Sequence, residues 1–337
     1  PALPSVHRSL GWVDPNLEPN DATSILQLPD GKILHRARWL YSLFRKLRPD
    51  AVWVQEEPTS DLTYATLGAL SLSRRPRVGV ALCENIFGRR DGLEGAARHL
   101  LWRRIDVLLA TATASIEGIR AAGMPASVRG IPLVAGAMAP PAQVYPLDLP
   151  FRRGDGDFVV GFAGRICPEK GWRVLLDAIA SLPANVKCAL AGDGPEIEAL
   201  RRRMQEPALA GRVAYVGLLP KDELWRFYAA VDCLVLPSLT RPNWKEQFGG
   251  VLADGMAMGL PLIGSDSGAI PEVIGPAGLV TPEGDSAALI QAIDRLHRDP
   301  ELRARLGEAG RRRFATEFDI PAYAEKIAAA LGLTAKD

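Results

Sequence analysis

The sequence has few of the features that mark a membrane protein or a nucleic-acid-binding protein. No apolar run approaches the ~18 residues that a membrane-spanning helix needs, and no signal-peptide pattern opens the chain. The 40 basic and 39 acidic side chains leave a net charge of +1, which gives no reason to expect a nucleic acid as partner. At 337 residues the chain is too long for one typical domain, so we expect a soluble, cytoplasmic protein of two domains.

Cysteine is equally scarce, and its spacing argues against the usual cysteine-based sites. The four cysteines (Cys83, Cys167, Cys188 and Cys233) form no C-x-x-C pair, and no histidine is grouped with them. A disulfide framework or a zinc site needs paired or closely spaced residues. We therefore predict four reduced core thiols and no metal site.

From about Arg48 onward, short apolar segments alternate with longer segments of helical periodicity. Several of the apolar segments show no polar alternation, as expected for parallel strands covered on both faces. This strand–helix–strand repetition predicts α/β domains with doubly wound sheets, and it excludes an all-α or all-β fold. The predicted strands are Ala51–Val54, Val78–Leu82, Val107–Leu109, Phe158–Phe162, Cys188–Ala191, Cys233–Leu236 and Pro261–Gly264.

Between residues 136 and 157 the periodicity stops and proline, glycine and charged residues take over. This composition is typical of an interdomain linker, so we predict an N-terminal domain over 1–145 and a C-terminal domain over 146–337. Only about three strands can be placed before the linker, and residues 1–30 contain no clear strand–helix unit. Because a doubly wound domain opens with a strand and a glycine-rich turn, we expect the N-terminal domain to be incomplete.

The segment at residues 161–171 combines a strand end, a glycine turn and two cations. Arg165 and Lys170 lie five positions apart just before a predicted helix. Cations beside the free N–H groups of a helix start form a suitable site for a diphosphate, because arginine can bind two oxygens and lysine adds a point charge. The alternative is a loop with two solvated cations.

The segment at residues 244–259 carries two carboxylates, Glu246 and Asp254, on either side of a glycine pair. From Gly250 onward the pattern is helical, and eight positions are a little over two turns, so Asp254 shares a face with the loop before the helix. Such a pair can accept hydrogen bonds from hydroxyls at two ends of one polar ligand, while the amides of residues 248–251 face its anionic part. The alternative is ordinary surface chemistry.

Two further strand ends, at residues 192–196 and 264–272, consist of small residues followed by a proline near a helix start. Small residues allow a ligand to approach the backbone closely, although a tight connection needs them as well.

Together these segments read G-R-x-x-P-x-K-G, G-D-G-P-E, E-x-F-G-x4-D-x-M-A-x-G-x-P and G-S-D-S-G-x-x-P-E. Their order and spacing over roughly residues 157–330 resemble the donor-binding domain of the retaining glycosyltransferases of family 4. The resemblance implies the GT-B fold, in which two Rossmann-like doubly wound domains face each other across a cleft. The N-terminal half resembles the family more weakly, through residues 48–58 and 78–86.

The resemblance also implies roles for particular residues. Arg165 and Lys170 stand where the family neutralises the diphosphate of a nucleotide sugar, and Glu246 stands where it binds sugar hydroxyls beside the reacting carbon. Asp254 stands at the carboxylate that holds the ribose diol. The other matching positions are the amides of Phe248, Gly249, Gly250 and Val251 at the sugar and phosphate, Gly217 and Leu218 at the base, and Ser267 and Gly268 over the donor.

The chain departs from the family pattern at several positions. Asp254 replaces a glutamate, and Gln247 replaces a glycine. Where many relatives carry a histidine facing the reacting sugar, this chain has Cys83 followed by Glu84 and Asn85, which we therefore take as candidate substrate contacts.

Two adjacent carboxylates, Glu56 and Glu57, could suggest a glycosidase pair. Adjacent strand residues point to opposite faces, so at most one of them can face the cleft. We expect one carboxylate at the rim of the cleft and one in solvent.

The segment at residues 35–48 is basic, aromatic and helical in period, a composition typical of a helix lying on a membrane surface. A core-packed helix with a basic outer face explains it as well. Membrane contact would place the protein at the inner membrane face and would suit a lipid-linked acceptor.

The resemblance implies a metal-independent, cofactor-free enzyme that transfers a sugar from a nucleoside-diphosphate sugar, its co-substrate, to an acceptor hydroxyl with retention of configuration. The acceptor would be a sugar, a lipid-linked molecule or a small molecule. Two alternatives remain open: an epimerase or hydrolase of the same fold, and a protein that binds the donor without turnover.

Overall fold

The computed structural model describes residues 33–72, 75–87, 92–133, 136–151 and 153–333. The opening segment on which the expectation of an incomplete first domain rests lies outside the described residues. Two wholly parallel sheets, one of four strands and one of six, carry helices on both faces. The predicted fold class, α/β with doubly wound parallel sheets, is therefore confirmed.

The first sheet has the strand order β1-β2-β3-β4. Its strands are β1 (Ala51–Val54), β2 (Arg77–Leu82), β3 (Val107–Ala110) and β4 (Arg129–Pro132). Its helices are α1 (Ile33–Leu47), α2 (Asp61–Ser71), α3 (Gly92–Trp102) and α4 (Thr113–Ala121). The prediction of about three strands missed β4, an edge strand whose residues are all partly or fully exposed and which therefore lacks an apolar run.

The second sheet has the strand order β10-β9-β8-β5-β6-β7. Its strands are β5 (Phe158–Ala163), β6 (Val186–Ala191), β7 (Val213–Tyr215), β8 (Cys233–Leu236), β9 (Leu262–Ser265) and β10 (Gly278–Thr281). The helices that follow these strands are α5 (Trp172–Ser181), α6 (Ile197–Met204), α7 (Lys221–Ala229), α8 (Gly250–Met258), α9 (Ile270–Ile274), α10 (Ser286–Arg298) and α11 (Pro300–Arg313).

The flat apolar segments are the strands buried on both faces. Every residue of β5 and of β8 is buried, as helices cover both sides of the second sheet. Three of the four cysteines lie in or beside these buried strands and Cys83 is half-buried, and all four are unpaired. The thiols are therefore reduced, as predicted.

The last helix returns to the first sheet. After a π-helical turn over Phe314–Phe318, α12 (Ile320–Ala330) packs Tyr323 against Leu109 and Leu133. Two arginines fix its end, since Arg77 and Arg129 donate hydrogen bonds to the carbonyls at the end of this helix. The division of the domains at residue 145 stays a prediction. The C-terminal end of the chain returns from the second sheet and adds α12 to the core of the first sheet.

The basic segment predicted for a membrane surface forms α1, which packs against α2. Leu40 and Phe44 are buried in the first core, while Arg45 and Lys46 are exposed. The geometry thus matches a core-packed helix with a basic outer face, and contact with a membrane stays a prediction. Among the described helices, none combines the length and the apolar character needed to cross a bilayer.

Candidate active site between the two sheets

The carboxyl edge of the second sheet, where strands β5, β8 and β9 end, carries Arg165, Lys170, Glu246, Ser267 and Gly268. In doubly wound sheets, ligands bind in the crevice at this edge. Each strand is followed at once by a tight loop: Gly164 after β5, Pro237 after β8 and Asp266 after β9. The three loops pack against one another and build the site.

The loop after β5 is folded tightly enough to require glycine. Gly171 lies in the left-handed region with φ 67°, and a Cβ atom there would stand 1.8 Å from the Pro237 carbonyl oxygen. This close contact holds the single 3₁₀ turn Pro168–Lys170 against the loop after β8. Arg165 is exposed at the start of the same loop.

Glu246 is the central carboxylate of the site. Its side chain is nearly buried, and its Oε2 accepts hydrogen bonds from Lys170 Nζ at 2.6 Å and from Ser238 Oγ at 2.7 Å. The Lys170 ammonium also lies 5.1 Å from the centre of the Trp244 ring. A buried carboxylate needs such a partner, because desolvating an unpaired charge is expensive.

A cavity of about 200 Å³ opens beside this pair. It is smaller than the roughly 300–1,000 Å³ of most small-molecule pockets, so it can hold one part of a larger ligand. Its lining residues are Arg165, Cys167, Glu169, Lys170, Trp244, Lys245, Glu246 and Gln247. The sequence predicts three catalytic residues. Two of them, Lys170 and Glu246, are paired here, and the third, Arg165, lines the same cavity.

The loop after β9 closes over the backbone of Glu246. Gly268 has φ 54°, and a Cβ atom there would stand 2.1 Å from the Glu246 carbonyl oxygen. That oxygen accepts a hydrogen bond from the Ala269 amide at 3.0 Å, and Ser267 is fully buried with its hydroxyl 3.0 Å from that of Thr240. Ser267 and Gly268 thus lie next to Glu246.

The amides predicted to face an anion lie at the start of α8. Gly249, with φ 70°, is the residue that precedes the first turn of the helix. Because glycine has no side chain, it cannot cap the first N–H groups of the helix, which begin at Gly250. Val251 is half-buried, and the Phe248 ring stacks on Phe318 with ring centres 6.1 Å apart. The side chain of Phe248 therefore packs against the core, and a contact of its amide with an anion stays a prediction.

Asp254 is engaged with protein partners rather than open to solvent. Its Oδ1 accepts a hydrogen bond from Lys221 Nζ at 2.6 Å, and its Oδ2 accepts one from the Tyr228 hydroxyl at 3.2 Å. Burial raises the pKa of Asp254, and Lys221 and Tyr228 act against that rise. The Lys221 ammonium is held 4.2 Å from the centre of the Trp225 ring and is more exposed than the carboxylate.

The predicted base-side residues lie in the loop after β7. Gly217 has φ 77°, and its carbonyl accepts the Gly192 amide at 2.7 Å, which joins this loop to the turn after β6. Leu218 is 72% exposed, a large fraction for an apolar side chain at a sheet edge. No described contact connects either residue to Glu246, so the structure does not bring them into the cluster around that carboxylate.

The first sheet reaches the same site through the loop after β2. Asn85 Nδ2 donates a hydrogen bond to the Glu246 carbonyl at 3.0 Å. Glu84 accepts a hydrogen bond from the Thr59 hydroxyl at 3.1 Å, and Glu57 accepts the amides of Cys83 and Glu84. Glu56 is exposed and Glu57 is half-buried, but both lie in the loop after β1 rather than in the strand, so the alternation of strand faces on which the expectation rested does not apply to them.

Sequence reasoning missed several residues of this arrangement. Ser238 and Trp244 support the Glu246–Lys170 pair, and Lys221 pairs with Asp254. A serine two positions after a buried strand was a usable signal for Ser238. Lys221 and Asp254 are 33 positions apart in sequence, and no local pattern relates them.

A family model described as "Glycosyl transferases group 1" matches residues 150–313. The curated relatives include the 2-deoxystreptamine glucosyltransferase of Streptomyces kanamyceticus, 31% identical over 63% of this chain and 57% of its own length. They also include the GDP-mannose-dependent alpha-(1-6)-phosphatidylinositol monomannoside mannosyltransferase of Mycolicibacterium smegmatis, 33% identical over 48% of this chain and 44% of its own length. The chain thus spans about half the length of the curated relatives it matches.

Solved glycosyltransferase structures share the whole architecture. HepE of Anabaena in complex with UDP superposes with a TM-score of 0.70 over 89% of this chain and 82% of its own, at 20% identity. A glycosyltransferase from Rickettsia africae reaches a TM-score of 0.73 over 93% of this chain and 85% of its own, at 14% identity. The fold is GT-B, as the sequence resemblance implies. Residues 150–313, the region that contains the Glu246–Lys170 pair, match the family model of the group 1 glycosyl transferases.

Proposed function

We propose that this protein is a glycosyltransferase that moves a sugar from a nucleoside-diphosphate sugar to an acceptor hydroxyl with retention of configuration, without a metal. The observation that carries the proposal is the buried Glu246 carboxylate, paired with Lys170 at 2.6 Å beside a cavity that Arg165 also lines. Anionic and cationic groups thus stand side by side at the edge of a doubly wound sheet.

The charges of the site fit the needs of this reaction. When the bond between the sugar and the diphosphate breaks, negative charge grows on the leaving group and positive charge grows on the sugar ring. Arg165 and Lys170 can stabilise the negative charge on the leaving group. Glu246 can orient the sugar and stabilise the positive charge on its ring. The uncapped start of α8 adds N–H groups that favour an anion. These cations and amides supply the field that a divalent metal would otherwise supply.

The acceptor side is formed by the first sheet. Glu84 and Asn85 follow β2, and Asn85 contacts the loop that carries Glu246. Retention requires the acceptor hydroxyl to attack from the face that the diphosphate leaves, so both must lie on the same side of the sugar. An acceptor bound beside Asn85 would meet the donor at Glu246.

The relatives differ in donor and acceptor. Three structures of Anabaena HepE hold UDP, UDP and glucose, or UDP-glucose, whereas the mycobacterial relatives are named for GDP-mannose. We propose a UDP-sugar or GDP-sugar as donor, and a small-molecule, sugar or lipid-linked acceptor. Action in the cytoplasm stays part of the proposal.

A donor panel tests the proposal. Thermal unfolding is measured with UDP, GDP, UDP-glucose and GDP-mannose, because a ligand that binds the folded state raises the melting temperature with its affinity. Proton NMR of the first-formed product then reads the anomeric configuration, and EDTA tests the need for a metal. Retention and EDTA resistance are expected.

Two variants connect the panel to the site. Arg165→Ala should lower turnover about a hundredfold with a smaller loss of donor affinity, because the charge on the leaving group grows in the transition state. Arg202→Ala, a change at an exposed arginine on α6, is the matched control and should leave turnover unchanged. Donor hydrolysis without transfer would favour a hydrolase, and donor affinity without turnover would favour a binding protein.

A further inference from the structure

The carboxylate of Glu57, which follows β1, holds the loop that follows β2. Its Oε1 accepts hydrogen bonds from the Cys83 amide at 2.9 Å and from the Glu84 amide at 3.1 Å. Its Oε2 is shielded from solvent and has no hydrogen-bond partner among the N and O atoms of the described residues. A single side chain therefore satisfies two successive backbone donors of residues 83–85, called here the acceptor loop.

The acceptor loop is held at its other end by the second sheet. Asn85 Nδ2 donates to the Glu246 carbonyl at 3.0 Å, the same oxygen that accepts the Ala269 amide. The side chain of Glu246 meanwhile binds Lys170. A continuous series of contacts thus runs from Glu57 through the acceptor loop and Asn85 to the residue at the centre of the site.

We propose that Glu57 is a positioning residue for sugar transfer: it fixes the acceptor loop so that Asn85 bonds the backbone of Glu246. This inference rests on the proposed function. Charge-assisted hydrogen bonds are stronger than neutral ones, so the ionised carboxylate holds the two amides more firmly than the neutral acid. The distance between the acceptor side and Glu246 then depends on Glu57, although Glu57 itself has no described contact with Glu246.

The surroundings of Glu57 determine its pKa, and therefore the pH range in which its hydrogen bonds to the acceptor loop change in strength. Burial, with smaller contributions from Glu84 and Glu56, raises the pKa of Glu57 to about 7, although the amides of Cys83 and Glu84 act against the rise. Burial, with a further contribution from Glu57, raises the pKa of Cys83 to about 12, so the thiol is neutral. From α12, Tyr323 also lies near Cys83, and burial raises its pKa to about 12.

The first experiment measures transfer with the donor and acceptor that the panel identifies. Glu57→Ala should lower kcat about tenfold, because it leaves two amides of the acceptor loop without their charged acceptor. Asn85→Ala should cause a similar loss, and the double variant should lose no more than the single ones, since both act through one loop. UDP affinity should stay unchanged, because the donor side is intact.

Glu57→Gln separates the hydrogen bonds from the charge. The amide oxygen of glutamine still accepts the two N–H groups, so transfer should persist. The fall of kcat below about pH 7 that we expect for the wild type should be absent from this variant. Glu56→Gln, the same change at the neighbouring exposed carboxylate, is the matched control. It should retain the fall of kcat at low pH, moved only slightly to lower pH, because Glu56 contributes a little to the raised pKa of Glu57.

The second experiment needs no turnover. Cys83 is half-buried in the acceptor loop, whereas the other three cysteines are buried, so iodoacetamide labelling read by mass spectrometry reports on this loop. Asn85→Ala removes no charge, and faster labelling of Cys83 in that variant reports loosening of the loop alone. Glu56→Gln should label at the wild-type rate.

Different results overturn different conclusions. Wild-type labelling in Asn85→Ala, additive losses in the double variant, or a pH profile unchanged in Glu57→Gln would overturn the positioning role while leaving the glycosyltransferase proposal intact. If no nucleoside diphosphate binds the wild type, the proposed function is wrong and the positioning role for transfer falls with it. Labelling of Cys83 in Asn85→Ala would then still show whether Asn85 holds the loop.

Discussion

At the scale of single residues, the buried carboxylate of Glu246 depends on its ion pair with Lys170. Its carboxylate is nearly buried and its ion pair is 2.6 Å long, so removing the lysine leaves an uncompensated charge inside the protein. Removing the carboxylate leaves an ammonium that still rests against Trp244 and can reach water. Removing Lys170 should therefore destabilise the folded protein more than removing the carboxylate of Glu246.

Glu246→Gln should remove transfer while the protein stays folded. Glutamine keeps the size of the side chain and its hydrogen bond to Ser238, but it cannot balance positive charge on the sugar ring. We expect a loss of a hundredfold or more in kcat, about 3 kcal/mol of transition-state stabilisation. Steady-state kinetics with circular dichroism as a folding control measures it. Wild-type turnover would mean that Glu246 is a structural carboxylate.

Asp254→Ala should affect both stability and donor binding. It leaves Lys221 without its carboxylate and the buried Tyr228 hydroxyl without an acceptor, which should cost about 1–3 kcal/mol of unfolding free energy. If Asp254 also contacts the ribose, the donor KM rises with a smaller change in kcat. Urea unfolding and donor titration measure the two effects. A destabilised variant with unchanged donor affinity would leave Asp254 a structural partner of Lys221.

Glu57 should make stability depend on pH in the direction opposite to that of a salt-bridged acid. Its folded pKa of about 7 lies above its ordinary value of 4.5, so the folded state binds more protons in between, and the unfolding free energy falls as pH rises from 4.5 to 7. Between pH 4.5 and pH 7 this contribution lowers the unfolding free energy by about 3 kcal/mol. Unfolding of the wild type and of Glu57→Gln at pH 4 and pH 8 measures it. An equal change in both proteins would contradict the assignment to Glu57.

At the scale of elements, burial decides what could be predicted from the sequence. Strands β5, β6 and β8 are covered on both faces, and their apolar segments locate them to within two residues. Strands β4 and β10 lie at sheet edges and are half-exposed, so their composition does not separate them from loops. The local pattern of apolar residues indicates which strands are buried, and it cannot locate edge strands because these are largely exposed.

The same limit applies to the candidate site. Arg165, Lys170 and Glu246 stand in short patterns tied to strand ends, so the sequence predicts them together. The contacts of Asn85 with Glu246 join residues 161 positions apart, and their pairing follows from how two sheets face each other. Periodicity along one strand or helix carries no information about that arrangement.

The loop after β9 gives a prediction for a whole element. Gly268→Ala places a methyl group 2.1 Å from the Glu246 carbonyl, so the loop or Glu246 must move, and both transfer and stability should fall. Gly211→Ala is the matched control, since Gly211 also has a positive φ, 74°, but its Cβ would meet nothing within 4 Å. It should cost about 1–2 kcal/mol of backbone strain and no activity. Equal losses in both would contradict the steric argument.

At the scale of the whole molecule, the last helix is a component of the first core. Tyr323 of α12 is buried against residues of the first sheet. Tyr323→Ala should cost about 3 kcal/mol of stability, as other large-to-small aromatic changes do. Glu325→Ala, an exposed change on the same helix, should be nearly neutral. Urea midpoints compare the two variants, and similar midpoints would show that α12 only rests on the sheet.

The chain passes between the two sheets twice, and the two passages lie side by side. Ala137 on the outgoing passage donates its amide to the Phe318 carbonyl on the returning one at 2.6 Å. Because the two connecting segments are hydrogen-bonded to each other at one place, we expect the cleft to open and close by a rotation about that place. A protease cut between residues 138 and 150 would leave this contact and α12 in place. We therefore expect the two fragments to stay assembled, which would allow reconstitution from separately expressed halves.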